Sequence, residues 1–196
     1  MKEVAVYSDY VCPFCYLAWP ALKELMAAGW RVELRAFELR PLPLPLGRPP
    51  GPQARQEWAA VIAPRAAAQG LEVYFQARRP RTRKAHELAH HARRLGLAPA
   101  VHERLFRAYF TQGLDIGRID VLVALGEALG LERSSVKVEL DLDQYTDAVV
   151  REQREALALG IRAVPAYVVE QASPRVHVGL LEGLDLWSWL SGQAGS

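Results

Sequence analysis

A Cys-Pro-Phe-Cys motif follows an alternating apolar stretch near the start of the chain, and it constrains the fold more than any other feature. Cys12 and Cys15 are the only two cysteines among the 196 residues. The stretch from Lys2 to Ser8 alternates with β-branched residues, as a buried strand does. Pro13 suits the first position of a helix, where its missing N–H is not needed. The pattern therefore predicts a strand, a turn at Cys12 and a helix that begins at Pro13.

The position of Cys12 at the start of this helix suits sulfur chemistry. Cys12 would face unpaired backbone N–H groups and the positive end of the helix dipole, which favour a thiolate over a thiol. The thiolate is the species that attacks and leaves in disulfide exchange. Cys15 follows one turn later, close enough to close a disulfide with Cys12. A Cys-x-x-Cys beside a strand-helix-strand pattern indicates a thioredoxin-like redox pair with Cys12 and Cys15 as its catalytic residues.

Two other interpretations of the cysteines remain open, namely a zinc half-site and inert core packing. A structural zinc site needs four ligands, usually from a second Cys or His pair at a set spacing. His86 and His90 have a suitable mutual spacing, but they lie far along the chain from Cys15, and there is no second Cys pair. We therefore expect no metal site and no other cofactor.

Composition excludes several classes of partner. The net charge is +2 and 23% of the residues are charged, so no strong field indicates a nucleic-acid partner. No apolar run approaches the length of a membrane span, and residues 1 to 10 lack the pattern of a signal peptide. We expect a cytoplasmic protein with no membrane partner, in which a cysteine pair is a reactive dithiol and not a structural staple. The sequence does not indicate the oligomeric state.

The remaining elements alternate between sheet and helix. After the first helix, a strand is predicted over Trp30 to Leu39, and a proline-rich connector over Arg40 to Pro52. Helices follow over 53–69, 82–95, 99–111, 119–129 and 143–159, then strands over 166–169 and 175–178 and a helix over 184–190. This order predicts an α/β, thioredoxin-like fold with a helical insertion after the second strand. We expect a discontinuous thioredoxin-like domain over 1–45 and 140–196, and a helical subdomain over 53–135.

A Val-Pro pair at the start of a late strand completes the predicted site. Val164 and Pro165 follow a helix and precede the apolar strand at 166–169. Cis peptide bonds are nearly confined to X-Pro, and we expect one between these two residues. Such a bond would set Pro165 against the sulfurs and leave the backbone of Val164 free to pair with an extended substrate. The other possibility is an ordinary trans proline at a strand start.

Several motifs together resemble the DsbA family of thiol-disulfide oxidoreductases, specifically its FrnE-like branch. They are Asp-Tyr-Val before the Cys-Pro-Phe-Cys motif, Phe37-Glu38-Leu39 with Pro41, Ala85-His86-Glu87-Leu88, Leu105 to Phe110, Asp115-Ile116, and Gly160-Ile161 with Val164-Pro165. The resemblance implies a thioredoxin domain with a helical insertion, a redox-active cysteine pair and a cis Pro165. It also implies dithiol-disulfide exchange with protein or small-thiol substrates.

Phe14 and three further residues are candidates for the surroundings of the cysteines. Phe14 lies between them, and we place it with Val164 and Pro165 among the substrate-binding residues. Pro13, Asp9 and His86 are candidates for lining the cleft. Asp9 could equally satisfy turn N–H groups, and His86 could equally lie on the helix surface or pack against neighbouring residues.

Two alternative functions remain beside thiol-disulfide exchange. One is a glutathione-using enzyme similar to the kappa-class transferases and hydroxychromene carboxylate isomerases, which typically carry Ser at the position of Cys12. The other is a holdase or a zinc-binding module that needs no redox chemistry.

Overall fold

The computed structural model of the protein describes residues 2–46 and 49–192, and within them one sheet forms the centre of the fold. The strand order is β2-β1-β3-β4. β1 and β2 are parallel, whereas β3 is antiparallel to both β1 and β4. The strands are β1 (Glu3–Ser8), β2 (Arg31–Ala36), β3 (Ala166–Val169) and β4 (Arg175–Val178).

Helices surround this sheet and form a long block between its two halves. Their bounds are α1 (Pro13–Ala27), α2 (Pro52–Glu57), α3 (Ala63–Ala68), α4 (Arg83–Arg94), α5 (Ala98–Phe110), α6 (Ile119–Glu127), α7 (Arg133–Asp141), α8 (Thr146–Ala158) and α9 (Gly183–Ser191). The order is β-α-β, a run of helices, then α-β-β-α. It confirms the predicted thioredoxin-like fold with a helical insertion after the second strand. No described helix has both the length and the apolarity needed to cross a membrane.

β1 lies in the middle of the sheet, and its side chains are buried on both faces of the sheet. Val4, Val6 and Tyr7 are fully buried, and β1 has neighbours on either side. Both strands of the late hairpin have the predicted bounds. β2 is shorter than predicted, since it ends at Ala36, and the backbone N–H of Glu38 bonds instead to the side chain of Gln153 (2.6 Å).

The predicted helix over 53–69 is interrupted by one π-helical turn. Trp58–Ile62 forms this turn between α2 and α3. Pro64 explains it, because proline has no N–H to bond the carbonyl of Ala60, as an α-helix would require. The backbone N–H of Ala63 bonds instead to the carbonyl of Trp58, five residues earlier.

Helix α7 was not predicted as an element. Its first turn is capped by Glu132, whose carboxylate accepts hydrogen bonds from the backbone N–H groups of Ser134 (2.9 Å) and Ser135 (2.6 Å). Glutamate is not one of the residues usually found at this position, so the start of the helix gives no clear sequence signal.

The proline-rich connector has neither helix nor strand over residues 40–46 and 49–51. Gly47 and Arg48, which belong to it, and residues 193–196 of the expected first domain lie outside the described residues. One buried apolar cluster includes Val6 of β1, Leu22 of α1 and Phe106 of α5, so the sheet and the helical block share a core. The division into two domains stays a prediction.

A buried carboxylate joins the edge strand β2 to two helices. Glu152 of α8 accepts hydrogen bonds from the backbone N–H of Ala36 (2.6 Å) and from Arg93 (2.9 Å), and His90 Nε2 lies 3.2 Å from it. Burial acts to raise the pKa of Glu152, but the bond from His90 and the charges of His90 and Arg93 outweigh burial and lower it to about 2. The ionised carboxylate therefore stabilises the contact between β2 and the helices.

We expect Glu152→Ala to lower the free energy of unfolding by about 3 kcal/mol, because it leaves two buried cationic or polar partners without an acceptor. Urea unfolding measures the change. Glu155→Ala is the matched control: this side chain is on the same helix but half exposed, and its ion pairs are long (3.8 and 3.9 Å), so its loss should cost under about 0.5 kcal/mol. Equal effects of the two substitutions would contradict the role of Glu152.

The lowered pKa of Glu152 also predicts a pH dependence. A carboxyl group whose pKa is lower in the folded than in the unfolded chain contributes stability above its ordinary value, 4.5, and loses that contribution as the pH falls towards about 2. Unfolding free energies of the parent and of Glu152→Gln should therefore differ most near neutral pH and converge below pH 4.5. If the difference in unfolding free energy between the two proteins stays constant as the pH falls from neutral towards about 2, Glu152 is not ionised in the folded protein.

Candidate active site

The turn between β1 and α1 holds the cysteine pair. The backbone N–H of Cys12 donates to the carbonyl of Asp9 (3.0 Å), and Cys12 is the extended residue directly before α1. Pro13 is the first residue of the helix, and the backbone N–H of Cys15 donates to the carbonyl of Cys12 (3.1 Å). Both cysteines are free thiols. Cys12 thus stands at the N-terminus of α1, one turn before Cys15.

Val164 and Pro165 lie opposite Cys12. The thiol of Cys12 donates a hydrogen bond to the carbonyl of Val164 (3.4 Å), and the peptide bond between Val164 and Pro165 is cis. The carbonyl of Pro165 accepts a hydrogen bond from the backbone N–H of Gly179 (2.9 Å) just after β4. The late hairpin therefore fixes this segment against the sulfur of Cys12, although 152 positions separate the two residues in the sequence.

The two sulfurs have different surroundings. Cys12 borders a cavity of about 330 Å³, whereas Cys15 lies behind it, 2% exposed. Burial is the main cause that raises the pKa of the Cys15 thiol well above its ordinary value, and the neighbouring Cys12 raises it further. The backbone N–H of Asp9 acts in the opposite direction. The geometry separates one sulfur at the cavity from one that is kept protonated in the interior.

Asp9 lines the same cavity, but His86 does not. One carboxylate oxygen of Asp9 accepts a hydrogen bond from the backbone N–H of Leu39 (2.7 Å). His86 lies one layer deeper, with its Nε2 3.6 Å from the other oxygen of Asp9 and its ring 4.8 Å from that of Tyr10. His86 is therefore packed behind the turn and reaches the cavity only through Asp9.

Two neighbouring cavities meet at the start of α1. The cavity at Cys12 shares part of its wall with a second, more apolar cavity of about 400 Å³. Val11, Pro13, Phe14 and Arg79 line both of them. Phe14 is 37% exposed, which is unusual for a phenylalanine and places its ring where a bound molecule would contact it.

Several lining residues were not found by sequence reasoning. Leu39, Arg40 and Leu46 come from the segment after β2, and Arg79 comes from the segment before α4. Leu39 belongs to one of the motifs that carry the resemblance, but that motif did not indicate a place beside Cys12, and the other three residues belong to no motif. Only the folded arrangement brings these residues to the cavity at Cys12. In the described part of the chain, no group of three or more His, Cys, Asp or Glu side chains is placed to hold a metal ion.

Comparisons with known proteins agree with this fold. A family model described as a DSBA-like thioredoxin domain matches residues 3–184, and the chain belongs to this family of thioredoxin-fold oxidoreductases. Among curated proteins, the uncharacterized protein YwbO of Bacillus subtilis is 35% identical over 176 residues, covering 85% of this chain and 86% of the relative.

Solved structures show the same fold. A probable DsbA oxidoreductase of Streptomyces coelicolor has a TM-score of 0.83 and 25% identity, over 100% of this chain and 92% of its own. The cytosolic disulfide reductase DsbM of Pseudomonas aeruginosa has a TM-score of 0.71 and 19% identity, over 97% and 93% of the two chains, and DsbM has also been solved with GSH.

The cavity that only Cys12 borders and the raised pKa of the Cys15 thiol together predict unequal reactivity of the two sulfurs. In Cys15→Ser protein, Cys12 should be alkylated by iodoacetamide at pH 8 at least about tenfold faster than Cys15 is in Cys12→Ser protein, because each unit of thiol pKa changes the thiolate fraction about tenfold. Mass spectrometry of quenched samples measures both rates. Faster alkylation of Cys15 would contradict the assignment of Cys12 as the accessible sulfur.

Proposed function

We propose that the protein catalyses thiol-disulfide exchange, with Cys12 as the attacking sulfur and Cys15 as the resolving sulfur. The observation that carries this proposal is the asymmetry of the pair: Cys12 borders a cavity at a helix N-terminus, and Cys15 is enclosed behind it. This is the division of roles that a dithiol needs if it is to release a substrate after capturing it.

The exchange proceeds in two balanced steps. The Cys12 thiolate attacks a disulfide R–S–S–R′, forms the mixed disulfide Cys12–S–S–R and releases R′–S⁻. The Cys15 thiol then gives its proton to water, and the resulting thiolate attacks the sulfur of Cys12, which releases R–S⁻ and leaves a Cys12–Cys15 disulfide. The substrate gains the two electrons that the protein dithiol loses. The same steps in reverse oxidise a dithiol substrate.

The segment opposite Cys12 would position the substrate. Val164 and Pro165 lie against the sulfur, and Phe14 is exposed beside it, so these three residues would contact the group that carries the incoming sulfur. Pro13 and Asp9 line the cavity through which it enters. His86 would act, if at all, through Asp9.

Protein disulfides and small-thiol disulfides are both included in this proposal. We also propose that the protein belongs to the FrnE-like branch of the family and that it is cytoplasmic. The description of DsbM as cytosolic supports the second point. In that location the direction of exchange follows from the reduction potential of the Cys12–Cys15 pair relative to its partner. The alternatives are a glutathione-using isomerase and a redox-independent holdase, and the following experiment also tests for the holdase.

Reduction of insulin by dithiothreitol tests the proposal. We expect the parent protein to accelerate it, Cys12→Ser to show only the uncatalysed rate, and Cys15→Ser to accumulate a mixed disulfide at Cys12 because the second step is blocked. Turbidity measures the rate, and mass spectrometry without reductant detects the adduct. A parent rate equal to that of Cys12→Ser would remove the claim. Suppression of insulin aggregation by the Cys12→Ser, Cys15→Ser double variant would favour a holdase.

A further inference from the structure

The more apolar of the two cavities extends the site away from the cysteines. It is lined mainly by aromatic and aliphatic side chains of α2, the π-helical turn and the end of α5, among them Trp58, Val61 and Phe110. Its volume of about 400 Å³ falls in the range of small-molecule sites. The π-helical turn forms part of its wall, and such turns are frequent at functional sites.

The narrow access to Cys12 limits what can react there. Cys12 as a residue is only 4% exposed, and its sulfur is reached through a cavity of about 330 Å³. The sulfur of a substrate has to enter this cavity to attack or be attacked. A small molecule, or a disulfide on an extended segment, can carry its sulfur into a cavity of this volume more readily than a disulfide that lies flush with the surface of a folded domain.

Two arginines add charge to this access route. Arg79 lines both cavities, and Arg40 lines the cavity at Cys12. Within residues 2–46 and 49–192, neither guanidinium forms an ion pair or hydrogen bond. Two carboxylates line the same cavities, Asp9 beside Cys12 and Glu57 in the apolar cavity. Each accepts a hydrogen bond from an uncharged donor, Asp9 from the backbone N–H of Leu39 and Glu57 from Gln53 (3.1 Å), and among the described residues neither forms an ion pair with an arginine. Arg79 and Arg40 therefore place two guanidinium groups without an ion pair to any described residue beside a mainly apolar pocket, of which Glu57 is the acidic member.

We propose that the two cavities together form a site for low-molecular-weight disulfides that carry an aromatic group and a carboxylate. This inference rests on the proposed exchange reaction and names its substrate class. The sulfur would lie at Cys12, the aromatic group would pass Phe14 into the apolar cavity, and the carboxylate would pair with Arg79. In exchange, the Cys12 thiolate bonds to one sulfur of the small disulfide, and the other half leaves as an aromatic thiolate.

Four small disulfides separate the two recognition features. Dithiobis(nitrobenzoate) is aromatic and anionic, dithiodipyridine is aromatic and neutral, dithiodipropionate is aliphatic and anionic, and bis(hydroxyethyl) disulfide is aliphatic and neutral. The reaction is followed in a Cys15→Ser background, so that it stops at the mixed disulfide on Cys12. Each rate is divided by the rate of the unsubstituted background with the same probe, which cancels the intrinsic reactivity of the probe.

Substitutions in the apolar cavity should act on the aromatic probes. Val61→Trp and Ala54→Phe fill the cavity from two positions, and each should lower the ratio of aromatic to aliphatic rates about tenfold. Val61 is 41% exposed, so the larger side chain is compatible with folding. Val138→Trp is the matched control, because Val138 is an exposed helical valine away from both cavities, and it should leave the ratio unchanged.

Substitution of the rim arginine should act on the anionic probes. Arg79→Gln should lower the ratio of anionic to neutral rates about threefold, as expected for a partly exposed charge. Arg78→Gln is the matched control, because Arg78 is adjacent in sequence but pairs with Asp115 (3.3 Å) and lines neither cavity. Raised salt should reduce the effect of Arg79→Gln.

The outcomes distinguish this inference from the proposed function. If Cys12 reacts with none of the four probes, the exchange reaction itself fails. If it reacts with all four but the ratios do not change in the cavity and rim variants, exchange stands and the substrate class is wrong. If Val61→Trp slows the reduction of insulin and leaves the small-probe ratios unchanged, the apolar cavity serves a polypeptide, and the inference is overturned.

Discussion

The pairing of β1 with a parallel strand on one side and an antiparallel strand on the other is the constraint on which the site depends. β1 and β2 end at the same edge of the sheet, where Ser8 is opposite Ala36, and β3 begins there, where Tyr7 is opposite Ala166. Three loops therefore converge at one edge: the cysteine turn after β1, the proline-rich segment after β2 and the Val164–Pro165 segment before β3. Convergence of this kind needs no contact between the loops themselves, because the sheet register already imposes it.

Buried polar contacts then hold the loop after β2 at the edge. The backbone N–H of Leu39 donates to Asp9 and that of Glu38 donates to Gln153, while the carboxylate of Glu38 accepts from Arg83 (2.6 Å). A loop that leaves a strand loses its ladder partners, so its buried N–H groups need side-chain acceptors. Here the acceptors come from the cysteine turn and from α8. Asp9 is thus the structural link between the cysteine turn and the segment that carries Leu39 and Arg40 into the cavity wall.

Local patterns predicted the parts of this site that depend on neighbours in sequence. The strand before Cys12, the helix at Pro13 and the strand after Pro165 each follow from alternation, helix-start chemistry and chain order, and the hairpin bounds at 166–169 and 175–178 match the structure. Arg79, Val61 and Phe110 carried no such signal, because they meet only through tertiary packing. Helix α7 was missed because its capping residue is a glutamate. His86 lies behind the turn because α4 packs this side chain inward against Tyr10.

The burial of both sulfurs has a consequence for selectivity. A surface dithiol discriminates among disulfides mainly through its reduction potential and the intrinsic rates of exchange, since any accessible sulfur can attack it. Cys12 borders a walled cavity. In the proposed exchange, a substrate would have to lose its hydration and fit beside Phe14 before its sulfur meets the Cys12 thiolate. Binding energy from groups remote from the sulfur then contributes to the rate of exchange. Under the proposed function, selectivity would be set by the side chains that line the cavities as well as by the Cys-Pro-Phe-Cys motif.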